Sequence, residues 1–210
     1  MTEAESVPEP VVAGHPVGER SAHGPLGGRV GSGPVTPAAV SDLIAAHVLD
    51  VPDFPKPGVG FKDLTPLFAN GPAFAQVIDA IATEYGGAFD VVAGIEARGF
   101  VLAAAVAYAS GAGLVPIRKA GKLPRATVSA AYALEYGEAV LEVHADAFEP
   151  GSRVLLLDDV LATGGTAAAA ISLVEQAGGE VVGFSVLMEL AFLDGRARLP
   201  ERDVHALLTV

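Results

Sequence analysis

The run Val154-Leu-Leu-Leu-Asp-Asp-Val-Leu-Ala-Thr-Gly-Gly-Thr166 constrains this chain more than any other. Four apolar residues in a row give way to two adjacent carboxylates, then to a small-residue turn, then to Ala167-Ala-Ala-Ala170, which reads as a helix. The pattern predicts a buried strand that delivers acid groups to its C-terminal edge, the edge where open α/β sheets bind ligands. Thr163-Gly164-Gly165-Thr166 adds two hydroxyls, unobstructed backbone N–H groups and a helix N-terminus, which together make a cradle for phosphate. Asp158 and Asp159 beside it suit ribose hydroxyls or the water shell of a Mg²⁺ ion. A strand ending in Asp is, taken alone, common to nucleotide-binding α/β folds of many kinds. A P-loop is excluded, because the Gly121-Lys122 pair is followed by Leu123 and lacks the upstream glycine.

At 210 residues the chain has the length of one domain with a well-buried core. It has no cysteine, so disulfides and thiol catalysis are ruled out, and an intracellular, cytoplasmic protein is expected. A net charge of −12 argues against a nucleic-acid surface. The distribution of charge says more than the total. Between Glu96 and Glu135 there is no acid, while Arg98, Arg118, Lys119, Lys122 and Arg125 fall within that window. One local basic patch on an acidic protein suits a small polyanion, the alternative being a solvated basic loop. The uncharged run 100–117 is broken by Gly111, Gly113 and Pro116, so it reads as a packed helix and a short strand and no membrane span is expected. Glu3, Glu5 and Glu9 do not fit a secretory signal.

Residues 1–35 carry five Pro, seven Gly and no aromatic, and they read as a disordered tail before a single domain over 36–210. Thr36 and Pro37 open a helix predicted to run to about residue 49 along Val40, Leu43, Ile44 and His47. The Pro-rich segment 51–66 reads as a loop whose Phe54 and Phe61 offer an aromatic platform for a planar ligand. Asn70 and Pro72 open a second helix over 73–85, stopped by Gly86-Gly87. A buried strand over 90–96, a helix over 100–109 and a strand over 114–117 follow. Two β-like runs, 127–134 and 138–144, form a hairpin joined by Glu135-Tyr136-Gly137. The opening strand, a helix over 165–176, a strand over 181–188 and a last strand over 204–210 complete an α/β alternation.

Several separated stretches share one pattern: Asp53-Phe-Pro-Lys-Pro-Gly with Phe61-Lys-Asp, Glu96-Ala-Arg-Gly-Phe, Ile117-Arg-Lys-Ala-Gly-Lys-Leu-Pro, Leu134-Glu-Tyr-Gly, and the acidic run. From about residue 37 onward the chain resembles the adenine phosphoribosyltransferases, within the type I phosphoribosyltransferases. The resemblance implies a mostly parallel sheet flanked by helices, with an N-terminal hood segment and a hairpin-like catalytic loop. It implies that Phe61 stacks on adenine, that the backbone near Phe61 and Lys62 reads the base edge, and that Leu190 closes the other face. Arg98, with Arg118, Lys119 and Lys122 around it, would take pyrophosphate. Asp158 and Asp159 would meet the ribose hydroxyls, and Ala162, Thr163, Gly164, Gly165 and Thr166 the 5′-phosphate. Glu135 and Tyr136 would sit at the tip of the catalytic loop, with Glu135 acting on the base. The resemblance further implies a non-proline cis peptide at Glu96-Ala97, Mg²⁺ held through substrate and water near Asp158 and Asp159 without a direct protein ligand, and a homodimer. Two positions depart from the pattern: Lys62, where Arg is more common, and Gly60, where a larger aliphatic is usual.

The chemistry agrees with the residue types. Displacing pyrophosphate from C1 of a ribose builds positive charge on the sugar and negative charge on the leaving group, so cations and Mg²⁺ are needed on one side and carboxylates on the other. By the resemblance, Glu135 would protonate or hydrogen-bond purine N7 as N9 attacks. Without the resemblance it reads as an exposed hairpin-tip acid. The expected activity is conversion of adenine and phosphoribosyl pyrophosphate to AMP and pyrophosphate. The alternatives are a hypoxanthine or guanine transferase and a non-catalytic sensor of phosphoribosyl pyrophosphate. A sensor that regulates transcription calls for a basic DNA-binding helix, which the Gly/Pro-rich first 35 residues do not supply.

Overall fold

A computed structural model of the chain describes residues 36–133 and 138–210. The tail and the Glu135-Tyr136-Gly137 tip therefore lie outside the described residues. Seven strands form the main sheet: β3 (Val91–Ile95), β4 (Gly113–Lys119), β5 (Thr127–Ala133), β6 (Glu138–His144), β7 (Arg153–Leu161), β8 (Glu180–Glu189) and β9 (Val204–Thr209), in the order β5-β6-β4-β3-β7-β8-β9. The five strands from β4 to β9 in that order run parallel, and β6 and β5 close one side antiparallel. This is the mixed α/β, mostly parallel sheet expected. Helix α4 (Arg98–Ser110) carries the chain from β3 to β4 on one side, and α5 (Gly165–Gln176) carries it from β7 to β8 on the other. The direction of winding therefore reverses between β3 and β7, and a crevice opens at their carboxyl ends.

Two cores follow from that layering. Leu155 and Leu157 of β7 pack with Leu102, Ala103 and Val106 of α4 and with Val77, Ile78 and Ile81 of α3 (Gly71–Glu84). Leu156 of β7, one residue out of phase, points the other way and packs with Ala170, Ile171 and Val174 of α5. The apolar run is thus buried on both faces, as a central parallel strand must be.

The described elements differ from the sequence reading where pairing overrides local pattern. Helix α1 (Pro37–Ala45) is capped by Thr36 Oγ1, which accepts the Ala39 N–H at 3.3 Å, but it stops well short of residue 49. Leu49–Val51 instead forms β1, antiparallel to β2 (Phe61–Asp63), in a two-stranded ribbon apart from the main sheet. His47 is consequently off the helix, its Nδ1 2.8 Å from the Leu43 carbonyl and its Nε2 3.0 Å from Asn70 Nδ2. A short helix α2 (Thr65–Ala69), not expected in this Pro-rich stretch, starts where Asp63 Oδ1 accepts the Thr65 N–H at 2.9 Å. β4 extends through Arg118 and Lys119, and β7 runs past the acid pair to Leu161 because β8 continues to pair with it. The expected α3 and α5 stand, α5 over the very span expected, and α3 is capped by Asn70 Oδ1. Among the described residues, no helix is long and apolar enough to cross a membrane.

Candidate active site

The register of the sheet assembles the site. β3 pairs with β7 as far as Gly94 opposite Leu157 and with β4 as far as Ile95 opposite Ile117. One residue further along each strand lie Glu96, Arg118 and Asp158, so three charged groups from distant parts of the sequence emerge at one edge. Close helix packing fixes the approach. A Cβ on Gly99 would meet the Leu157 carbonyl oxygen at 2.7 Å and Asp158 Oδ1 at 3.3 Å, so the first turn of α4 lies directly on the acid pair. The peptide between Glu96 and Ala97 is cis, as the resemblance implies.

Adjacent strand residues point to opposite faces, and the two aspartates divide accordingly. Asp158 lines a shallow crevice with Ala162, Thr163, Gly164 and Thr166. Its carboxyl is pushed well above the ordinary carboxylate range, first by burial and then by the charge of Asp159. Its Oδ1 accepts the Asp159 N–H at 2.9 Å. Asp159 is buried, does not line the crevice and faces Arg98, whose Nη1 approaches Oδ2 to 2.8 Å. The guanidinium N–H directions miss that oxygen, so Oδ2 forms an ion pair but accepts no hydrogen bond. Gly164 holds the left-handed conformation (φ +79°) as the residue before α5, leaving the first N–H groups of that helix to face the crevice beside the Thr163 and Thr166 hydroxyls.

Arg98 joins this site to the aromatic segment. Its guanidinium carbon lies 5.1 Å from the centre of the Phe61 ring, and Phe54 meets Phe61 edge-on at 5.0 Å. The two phenylalanines therefore lie together next to the acid pair. Lys62 pairs with Asp50 across the ribbon. Gly60 has open space around its Cα, so the missing side chain leaves the ribbon unstrained. Leu190 is half-buried, packs on the core beneath α3 and donates its N–H to the Leu161 carbonyl at 2.9 Å.

The basic patch has a counter-ion that sequence reasoning missed. Glu96 Oε1 lies 2.5 Å from Lys122 Nζ, and its Oε2 accepts from Arg118 Nε at 3.3 Å and from the Lys119 N–H at 3.1 Å. The hydrogen bond from Lys122 is the largest cause holding Glu96 below the ordinary carboxylate range. Buried Glu142 of β6 supports the same loop by accepting the N–H groups of Lys122 at 2.9 Å and Leu123 at 3.0 Å. Arg118 and Lys122 are therefore positioned and partly neutralised, while the Lys119 side chain is exposed. An acid interrupting the apolar run of β6 was the available signal for Glu142; nothing in the sequence pointed to the pairing of Glu96.

Comparison with known proteins places this geometry. Residues 67–207 match the phosphoribosyl transferase domain model. An adenine phosphoribosyltransferase of Salinispora arenicola is 69% identical over 82% of this chain and 92% of that protein. The crystal structure of adenine phosphoribosyltransferase from Rhodothermus marinus superposes with a TM-score of 0.79 at 47% identity, covering 82% of this chain and 99% of that one. The Saccharomyces cerevisiae enzyme, solved with an imino-altritol bisphosphate and adenine, gives 0.78 at 39% identity over 81% and 99%. A shared fold and a shared sequence over most of both chains lead to one conclusion: this chain belongs to the adenine phosphoribosyltransferases of the phosphoribosyl transferase domain family.

Proposed function

We propose that this chain is a purine-salvage enzyme that transfers the 5-phosphoribosyl group from phosphoribosyl pyrophosphate to adenine, giving AMP and pyrophosphate. The observation that carries the reading is Arg98, set between the Phe61 platform and the Asp158–Asp159 pair, so that base and ribose phosphate would meet on either side of one cation. Adenine N9 attacks C1 of the ribose, the C1–O bond breaks with its electron pair leaving on pyrophosphate, and the proton on adenine N7 passes to the Glu135 carboxylate. In our assignment Arg98, with Arg118, Lys119 and Lys122, neutralises that leaving group. Thr163, Gly164, Gly165 and Thr166, with the Ala162 backbone, hold the 5′-phosphate. Asp158 takes the ribose hydroxyls from the crevice, with Asp159 behind it. Phe61 stacks on the base, Leu190 closes the opposite face, and the backbone at Lys62 reads the base edge. Glu135 acts at purine N7.

The acid pair fits Mg²⁺. Asp158 lines the crevice beside a second carboxylate, and the nearby guanidinium of Arg98 is already paired with Asp159. A cation held through substrate oxygens and water beside Asp158 would supply the missing positive charge without a cage of protein ligands. Its chemical contribution is to neutralise charge on the pyrophosphate. We further propose a homodimer, supported by Val101 and Tyr108, two exposed apolar residues seven apart on one face of α4. We place the enzyme in the cytoplasm, because phosphoribosyl pyrophosphate is too highly charged to cross a bilayer and must be used where it is made.

A Mg²⁺-dependent assay against a panel of bases tests the reading. Adenine is expected to be preferred, since polar groups that match a 6-amino edge are left unpaired by a 6-oxo edge. Equal or better turnover of hypoxanthine or guanine would overturn it.

A further inference from the structure

Behind the phosphate loop, on the side away from the crevice, the chain returns through two short 3₁₀ turns, Ala191–Leu193 and Gly195–Arg198. The two segments meet backbone to backbone. A Cβ on Gly164 would lie 2.2 Å from the Gly195 carbonyl oxygen, and a Cβ on Gly195 would lie 2.2 Å from the Ala162 carbonyl oxygen. Each glycine thus admits the other's strand of chain, and no side chain fits on either side of the contact. The returning segment is itself anchored. Arg196 Nε lies 2.8 and 2.9 Å from the two carboxylate oxygens of Glu189, a buried acid at the end of β8, and its Nη1 donates to the Val204 carbonyl at 2.8 Å. Leu199 seats the far end in the core beneath α5.

We infer that Glu189, Gly195 and Arg196 form a brace that sets the conformation of residues 162–166 and thereby the affinity for the ribose 5-phosphate moiety. They act as positioning residues, touching neither base nor phosphate. The physical reason is that a loop binding phosphate through backbone N–H groups has no flexible side chain to correct an error. Hydrogen bonds weaken steeply off their preferred distance and angle, so a backbone cradle displaced by a few tenths of an ångström loses several bonds at once. A rigid support on the far side of the loop holds those directions before the ligand arrives. The Glu189–Arg196 pair suits this role because the carboxylate is buried and fixed on a central strand. Gly195 has no left-handed φ, so an alanine there changes the contact with Ala162 and leaves the backbone conformation allowed.

The inference rests on the assignment of residues 162–166 to the 5′-phosphate, and the experiment separates the two. Calorimetric affinities of the full chain for ribose 5-phosphate, AMP and adenine are compared for Gly195→Ala, Arg196→Ala, Arg196→Lys and, within the loop, Thr166→Ala, with thermal unfolding of each. The expected result for the brace variants is a loss of about tenfold or more in affinity for ribose 5-phosphate and AMP, with adenine unchanged. KM for phosphoribosyl pyrophosphate should rise more than kcat falls. Arg196→Lys should recover part of the loss by keeping the charge opposite Glu189. If Thr166→Ala weakens ribose 5-phosphate while the brace variants do not, the brace is refuted and the loop assignment stands. If no variant weakens it, both fail. Equal weakening of adenine and ribose 5-phosphate, or a lowered Tm with unchanged affinities, would make the brace merely structural and overturn the inference.

Discussion

Glu96 follows the last residue of β3 and Asp158 lies on the neighbouring β7, yet their surroundings treat them in opposite ways. Glu96 receives Lys122, the Lys119 N–H and Arg118, and is held below the ordinary carboxylate range. Asp158 receives a neighbouring N–H and a second carboxylate, and is pushed above it. Charge alone does not mark a ligand site. The first acid has its positive charge already, and its work is to hold the basic loop; the second is short of positive charge, and a ligand or ion that supplies it is drawn in.

The largest effect sharpens the comparison by adding a third acid. If Glu135 acts at N7, Glu135→Gln removes the charge and the proton acceptor but keeps the shape, and kcat should fall by about 10²- to 10⁴-fold with little change in KM for phosphoribosyl pyrophosphate. Retention of more than about half the activity, with chemistry rate-limiting, would leave it a loop-tip carboxylate. Next comes the acid pair itself. Asp159→Asn should lower kcat/KM by about 10²- to 10³-fold, as loss of one fixed electrostatic group does. It should also shift activation to higher Mg²⁺ concentration in a metal titration. Glu96→Gln should cost less, about tenfold in KM for phosphoribosyl pyrophosphate, because Arg118 and Lys122 remain present but lose their alignment. A larger loss at Glu96 than at Asp159 would invert the comparison.

Stability against pH gives a smaller and independent check. A carboxyl whose folded pKa is lowered contributes stability that is present above its unfolded pKa and lost as pH falls through the folded value. Glu96, ordinarily near 4.5, should therefore support the fold above that pH and cease to do so below it. Asp158 has the opposite sign: its folded pKa is raised, so it erodes stability as pH rises from its ordinary 3.8 toward the folded value. Tm measured from pH 3 to 8 should show Glu96→Gln less stable than the parent chain at neutral pH and Asp158→Asn equally or more stable. The smallest effect belongs to removal of residues 1–35. Their composition cannot bury a core, so kcat/KM should stay within about tenfold, or 1.4 kcal/mol, of the full chain.

The acid run was legible because one short stretch held a strand, a turn and a helix start, and local chemistry alone fixed all three. The β5–β6 hairpin was legible from alternation, and its register is continuous from Thr127 opposite His144 to Ala133 opposite Glu138. What stayed hidden was set by partners distant in sequence. Leu49–Val51 reads as the end of a helix until Phe61–Asp63 is brought alongside. Glu96 reads as the edge of an acid-free window until the β3–β4 register places Arg118 next to it. That Asp158 and Asp159 part to opposite faces follows from a strand longer than its apolar run, and the length is set by β8. Gly195 and Arg196 gave no signal, since a glycine in a turn has many explanations and only the facing Gly164 selects among them.

Phe61 lies on a two-stranded ribbon, while the crevice that would take the ribose phosphate is cut into the seven-stranded sheet. The ribbon hydrogen-bonds within itself, so its sequence can drift or its loop lengthen without disturbing any ladder of the main sheet. A lineage built on this plan can alter the contacts that the ribbon offers a ligand and leave the crevice of the main sheet intact.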